Sequence, residues 1–215
     1  MINKSRLTVF ILFIGLLVLV PVASATPSFL GPTGLITIPT ADVVQSGQFN
    51  MGAFYYHDDL SFVINGAPIK NLELGIGVWN HGDSLGYLNA KYQLVPETKE
   101  YPGIAVGGRD LGNSFERRLY AVASKNLPEF GLRGHIGIQS PGDPLFAGIS
   151  KVFNTVSVSQ PGQKNLALQT SVLAELNGDD LSVGLQLRIS PNFVLHASYV
   201  GLDSGLIGLS YNGWF

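Results

Sequence analysis

Cysteine is absent from this 215-residue chain, charge is scarce, and no long apolar run lies beyond its first 25 residues. Each absence excludes something. Without cysteine there is no disulfide framework and no lipid attachment of the bacterial lipoprotein kind, so a larger sheet has to supply the stability. Asp, Glu, Lys and Arg together make up 13% of the chain, whereas a soluble domain carries about 25%. Past residue 25 there is no run of about 18 apolar residues, which leaves no transmembrane helix there. Basic clusters are missing too: without Lys4 and Arg6, 11 basic side chains face 15 acidic ones, a formal charge of −4. Nucleic acid is therefore not an expected partner.

What is present begins with residues 1–25. Lys4 and Arg6 precede a nearly all-apolar stretch, Leu7 to Val20, and Ala23-Ser24-Ala25 is a small-x-small cleavage site. This is the pattern of a secretory signal peptide, to be left out of the fold; a membrane anchor is the alternative, but the apolar core is short and ends at Pro21. Cleavage after Ala25 would leave 190 residues, enough for one domain.

The last 36 residues, Asp180 to Phe215, alternate apolar and polar in three short runs. Leu181, Val183, Leu185, Leu187 and Ile189 share one face, opposite Ser182, Gly184, Gln186 and Arg188. Phe193, Leu195, Ala197 and Tyr199 oppose Val194, His196 and Ser198, and Ile207, Leu209, Tyr211 and Phe215 oppose Leu206, Gly208, Ser210 and Asn212. Successive side chains on a strand point to opposite sides, so period two means one greasy and one wet face. Similar alternation starts after Gly47 and recurs between turn-rich breaks such as Leu111-Gly112-Asn113-Ser114 and Asn177-Gly178-Asp179. Twelve runs result, with ten as the alternative because the run at Leu60 is short and the connection Asn154 to Asn165 is long.

The expected fold is therefore all-β: a closed, antiparallel, up-and-down transmembrane barrel over residues 47–215, its apolar face in lipid. In hydrocarbon an unpaired strand edge costs several kcal/mol, so Leu206–Trp214 must pair with a first strand around Gln48–Tyr56. Phe49, Tyr55, Tyr199, Tyr211 and Phe215 are expected at the two interfaces. A soluble β-sandwich or periplasmic barrel binding an apolar ligand alternates in the same way and stays open.

With the apolar face outside, Glu73, Lys91, Arg109, Lys125, Arg133, His135, Glu175, Arg188 and His196 line the interior. Two readings apply to them: a charged path or site for a solute or anionic glycan, and a side-chain network filling a narrow lumen, with Glu73 and Glu175 neutralising basic groups. No cofactor and no metal site is expected; His57-Asp58-Asp59 reads as a polar hairpin loop. The four histidines lie far apart, none in a nucleophile motif, so no catalysis is expected. Residues 26–46, rich in Gly and Pro, are not strand-like and form a flexible leader, a segment folded into the lumen as a plug, or one lying across the periplasmic mouth.

Two resemblances follow from these residues. Phe215, with Tyr211, Leu209 and Ile207 at the fifth, seventh and ninth places from the end, resembles the assembly signal of bacterial outer-membrane barrels; Gly213 departs from it, the third place usually being apolar. The stretch Gly31-Pro32-Thr33-Gly34-Leu35-Ile36-Thr37-Ile38-Pro39-Thr40-Ala41 followed by Gly47 resembles the opening of the YjbH family of exopolysaccharide-associated outer-membrane proteins. Lys70-Asn71-Leu72-Glu73, Gly107-Gly108-Arg109-Asp110, Ser124-Lys125 and Glu175-x-x-Gly178-x-Asp180 extend that resemblance over most of residues 26–215. Better-known members are considerably longer, so this chain looks like a short version. The resemblances imply an outer-membrane location, outer-membrane lipid and the barrel assembly machinery as partners, and a part in exopolysaccharide production or secretion, with the polymer or its secretion proteins as further partners. A passive structural barrel or small-solute channel is the alternative.

Overall fold

The computed structural model describes residues 25–154 and 168–215. The expected signal peptide lies, but for Ala25, outside the described residues, as do Leu166 and most of the connection after Asn154. The described chain forms twelve strands: β1 (Gln48–Tyr56), β2 (Asp59–Ile69), β3 (Leu72–His81), β4 (Asp83–Val95), β5 (Gly103–Arg109), β6 (Arg118–Leu127), β7 (Leu132–Ser140), β8 (Leu145–Asn154), β9 (Gln169–Asn177), β10 (Asp180–Arg188), β11 (Phe193–Val200) and β12 (Ser204–Trp214). Each pairs antiparallel with its sequence neighbours, and β12 pairs with β1 from Gln48↔Trp214 to Tyr56↔Leu206. The sheet is a closed up-and-down barrel with no free edge. The closing pair is the one that the alternation predicts.

Turn chemistry sets the hairpins. His57 and Asp58 both adopt positive φ (52° and 65°), the type I′ geometry whose twist matches the flanking strands. His57-Asp58-Asp59 is thus a hairpin tip, and among the described residues no three His, Cys, Asp or Glu side chains gather as a metal site would require.

Outward positions are apolar on nearly every strand. Ile76, Leu88, Ile136, Ile138 and Ile207 are each more than half exposed, and so belong to a continuous oily belt. Tyr55 and Tyr199 mark its hairpin end, while Phe49, Tyr211 and Phe215 mark the other end. Phe49 stacks on Phe215 (6.0 Å, 10°) and tilts against Tyr211 (5.9 Å). Its ring lies over Gly213, where a Cβ would come within 2.6 Å of it. Gly213 therefore breaks the terminal apolar pattern because the closing strand lends that space to an aromatic.

Three strands differ from expectation. β2 is 11 residues long, not a short run, because Asn65, Gly66 and Ala67 continue it into an irregularity before Ile69. β6 has the opposite facing: Tyr120, Val122 and Ser124 are buried inside, and Ala121, Ala123 and Lys125 face out. Lys125 is consequently not a lumen residue; its Nζ reaches the rim and donates to the carbonyls of Thr98 (2.6 Å), Lys99 (2.8 Å) and Tyr101 (3.3 Å). On β8, whose facing the pattern leaves unclear, Phe146 and Gly148 point inward.

These inward apolar residues have a partner. Residues 26–44 run inside the barrel and are almost entirely buried. Leu35, Ile36, Ile38 and Ala41 pack with Ala105, Tyr120, Val122, Phe146 and Leu173, while Phe29 packs with Phe54, Val63, Tyr87 and Leu206. The core of this barrel is its own N-terminal segment.

Candidate functional site

The candidate site is the contact between that segment and the inner wall. Two prolines and two glycines in Gly31–Ala41 deny the segment a regular ladder, so it folds as turns. Phe29 N–H donates to Ile36 O (2.9 Å), Gly34 N–H to Thr26 O (3.1 Å), Leu35 N–H to Ile38 O (3.0 Å) and Thr40 N–H to Thr33 O (3.2 Å). A segment bent this way leaves backbone groups unpaired, and buried N–H and C=O groups require partners. The wall supplies them.

Glu175 on β9 takes the tip of the Leu35–Ile38 turn. Its carboxylate accepts Ile36 N–H (2.9 Å), Thr37 N–H (2.8 Å), Thr37 Oγ1 (2.5 Å) and a longer contact from Ile38 N–H (3.4 Å). Glu73 on β3 accepts Thr33 N–H (2.8 Å), Thr33 Oγ1 (2.6 Å) and Val44 N–H (3.0 Å). Lys91 on β4 lies 3.5 Å from the Glu73 carboxylate and donates to Thr33 O (2.8 Å). Both carboxylates are at most 2% exposed. Glu73 is paired with Lys91. Glu175 does not neutralise a basic group; its partners are backbone amides and a hydroxyl, an arrangement that stabilises a buried carboxylate through charge-assisted hydrogen bonds.

Shorter polar side chains complete the grip. Asn65 donates to Gly31 O (2.6 Å), Gln93 to Ala41 O (2.8 Å) and Ser61 to Phe29 O (3.3 Å). Ser124 Oγ accepts Ala41 N–H (2.9 Å) and also meets His135 Nδ1 (2.8 Å). Where the segment leaves the lumen, Arg133 holds Asp42 through two bonds (2.6 and 2.8 Å) and Glu97 through a third (2.7 Å).

Of the residues expected in the lumen, the structure brings Glu73, Lys91, Arg133, His135 and Glu175 to the segment, His135 through Ser124. Arg109 lies inside near the hairpin end, between Pro32 and Pro39 on one side and Tyr120 on the other. His196 bonds Ser210 (2.8 Å) and meets the edge of the Phe54 ring, away from the segment's polar contacts. Arg188 stands in the wide mouth at the other end and donates to Pro191 O (3.1 Å). Asp42, Asn65 and Gln93 also belong to the site, as does Ser124, which the sequence offers only within a resemblance; each wall residue among them occupies an inward position of its strand. The Ser124–His135 contact does not assemble a nucleophile: both side chains are buried, and the serine oxygen is committed to Ala41 N–H. The arrangement can hold a chain; it presents no reacting atom to solvent.

Glu73, Arg109, Ser124 and Glu175 all face residues 28–44.

No family model matches the sequence, and no curated protein matches it. Solved structures that do match include outer membrane protein Omp33 of Acinetobacter baumannii (11% identity over 78% of this chain and 97% of that one, TM-score 0.48). The NanC porin (12%, 76% and 98%, 0.39) and the N-terminal β-barrel domain of Pseudomonas aeruginosa OprF (14%, 78% and 98%, 0.25) are two others. Likeness at these levels leaves the architecture resting on the closed ladder itself.

Proposed function

We propose that this chain is an outer-membrane β-barrel, and that its lumen is closed by residues 26–44 acting as a resident plug. The observation that carries this reading is the pairing of a closed, outwardly apolar ring with a fully gripped internal segment. A closed ring whose exterior is oily suits hydrocarbon, because closure leaves no open sheet edge to face lipid. With the even strand count both termini lie at one end, the periplasmic end in bacterial barrels, and the hairpin at His57–Asp58 is then at the cell surface; the long connection after Asn154 falls on the periplasmic side, against the usual pattern of long outer loops. The barrel passes small solutes only when the plug shifts. As a passive channel it would be a closed one at rest.

Reconstitution in planar bilayers tests this. The native chain is expected to show little steady conductance, and the Glu73→Gln/Glu175→Gln variant, which loosens the plug from two sides, frequent openings. Steady current through native barrels whose plug remains resistant to protease would overturn the reading.

A part in exopolysaccharide export is a second reading, supported by the resemblance and by the convergence of its residues on the plug. It predicts that deletion lowers secreted polysaccharide and that a chain lacking residues 26–44 does not restore it; normal polysaccharide in the deletion strain would remove it.

A further inference from the structure

Near the hairpin end of the lumen a small polar chamber adjoins the grip described above and shares Thr37 with it. It lies between Pro32 and Pro39 of the plug and Arg109, Arg118 and Tyr120 of the wall, with a volume of about 10 Å³, the space of roughly one water-sized particle. Four of the residues that line it carry a buried polar atom with no hydrogen-bond partner among the described residues: Ser28 Oγ, Arg109 Nε, Arg118 Nε and Tyr120 Oη. Each carries a hydrogen to donate.

The charges are as unusual as the orphans. Arg109 and Arg118 are directly opposite each other across β5 and β6, on the inner face. Like charges in that position repel, and a buried cation without a counter-charge is strongly unfavourable. Arg118 has Glu116 at 2.6 Å, but Arg109, 7% exposed, enters no ion pair among the described residues. Asp110 beside it is committed elsewhere, accepting the N–H groups of Ser114, Phe115 and Glu116. Converging donors suit an occupant that only accepts. A water molecule can donate to the Ser28 and Tyr120 hydroxyl oxygens, but it leaves Arg109 without a counter-charge; a monatomic anion accepts and also supplies that charge.

We propose that this chamber binds one small anion of the chloride class, which ties Arg109 and Arg118 to the Ser28–Pro39 part of the plug. The plug's seating at that end is then anion-dependent, whether or not the barrel passes solutes.

The test uses the whole purified chain in detergent, moved into sodium gluconate and titrated with chloride or bromide at constant ionic strength. Chymotryptic cleavage at Phe29 and Leu35 is expected to slow saturably, about tenfold at a halide level about ten times the midpoint. Crystals grown in bromide are expected to show an anomalous peak between Arg109 and Arg118. Arg109→Gln is expected to lose both effects; the bromide peak in the native chain stands as evidence even if that variant fails to fold. Equal cleavage in gluconate and chloride, or no bromide peak in the native chain, would overturn the proposal.

Discussion

Glu73 and Glu175 stand on β3 and β9, six strands apart in a ring of twelve, so they hold the plug from opposite walls. They do so by different physics. Glu175 relies on hydrogen bonds alone, and a glutamine there would aim its amide donor either at the Thr37 N–H or at the Ile36 and Ile38 N–H groups. Hydrogen bonds to a charged group contribute about 1.5–3 kcal/mol each, and Glu175→Gln has no second change that repairs it. Glu73 shares its charge with buried Lys91. Removing one member of such a pair costs about 3–5 kcal/mol, whereas replacing both is often near neutral. Glu73→Gln is therefore expected to raise amide exchange at Thr33 and Val44 strongly, and Glu73→Gln/Lys91→Met to recover part of that loss. Equal exchange in the single and double variants would mean that the Glu73–Lys91 charge pairing contributes little to holding the plug.

At the scale of elements, the plug depends on one close approach within itself. A Cβ on Gly34 would lie 2.2 Å from Ile38 O and 3.0 Å from the Ser28 Cβ. The first of these is backbone, so the turn has to open. Gly34→Ala is expected to expose Phe29 and Leu35 to chymotrypsin in the folded barrel; Gly86→Ala, where the added carbon meets nothing within 4 Å, is the matched control and should leave the segment protected. Protection that survives Gly34→Ala would mean the turn is not what seats the plug. The same elements show what period two can and cannot reveal. β1, β3, β10, β11 and β12 read correctly because their inner faces, although they include Phe54, Val194 and Leu206, are otherwise made mostly of Gly, Ser, Asn, His and charged groups against an apolar outside. β6 and β8 do not, because their inner faces meet Leu35 and Ile38 of the plug rather than water, and Tyr120, Val122 and Phe146 are apolar for that reason. A strand greasy on both sides has no alternation to read. The charged members of the site were visible as polar exceptions on inward positions, but their partners were not: Thr33 lies 40 residues from Glu73, and Ile36 lies 139 from Glu175. Proline and glycine in residues 26–46 exclude a strand there without saying where the segment goes.

For the molecule as a whole, the question is which medium the outer belt touches. Soluble monomers rarely expose an apolar patch beyond a few hundred Å², yet here large aliphatic side chains on strand after strand are 40% exposed or more, Ile64, Ile76, Leu88, Ile136, Leu185 and Ile207 among them. No helix among the described residues is long and apolar enough to cross a membrane, so any crossing that these residues make is made by strands. Depth along the strand then decides the penalty for a charge. Leu209 sits midway along β12 between Ile207 and Tyr211, while Leu202 sits in the turn before that strand; both are largely exposed (42% and 51%) and neither is part of the plug contact. In water the two sites would tolerate arginine alike. In a bilayer, arginine costs about 2–4 kcal/mol at the midplane and about 0–1 near the interface. Leu209→Arg is expected to lower the fraction of chains that fold into lipid vesicles, read as the band that migrates anomalously on an unboiled denaturing gel, and Leu202→Arg to match the native chain. If the two variants fold equally well, the belt does not face hydrocarbon, and the closed ring has to be explained as a soluble barrel wrapped around its own segment.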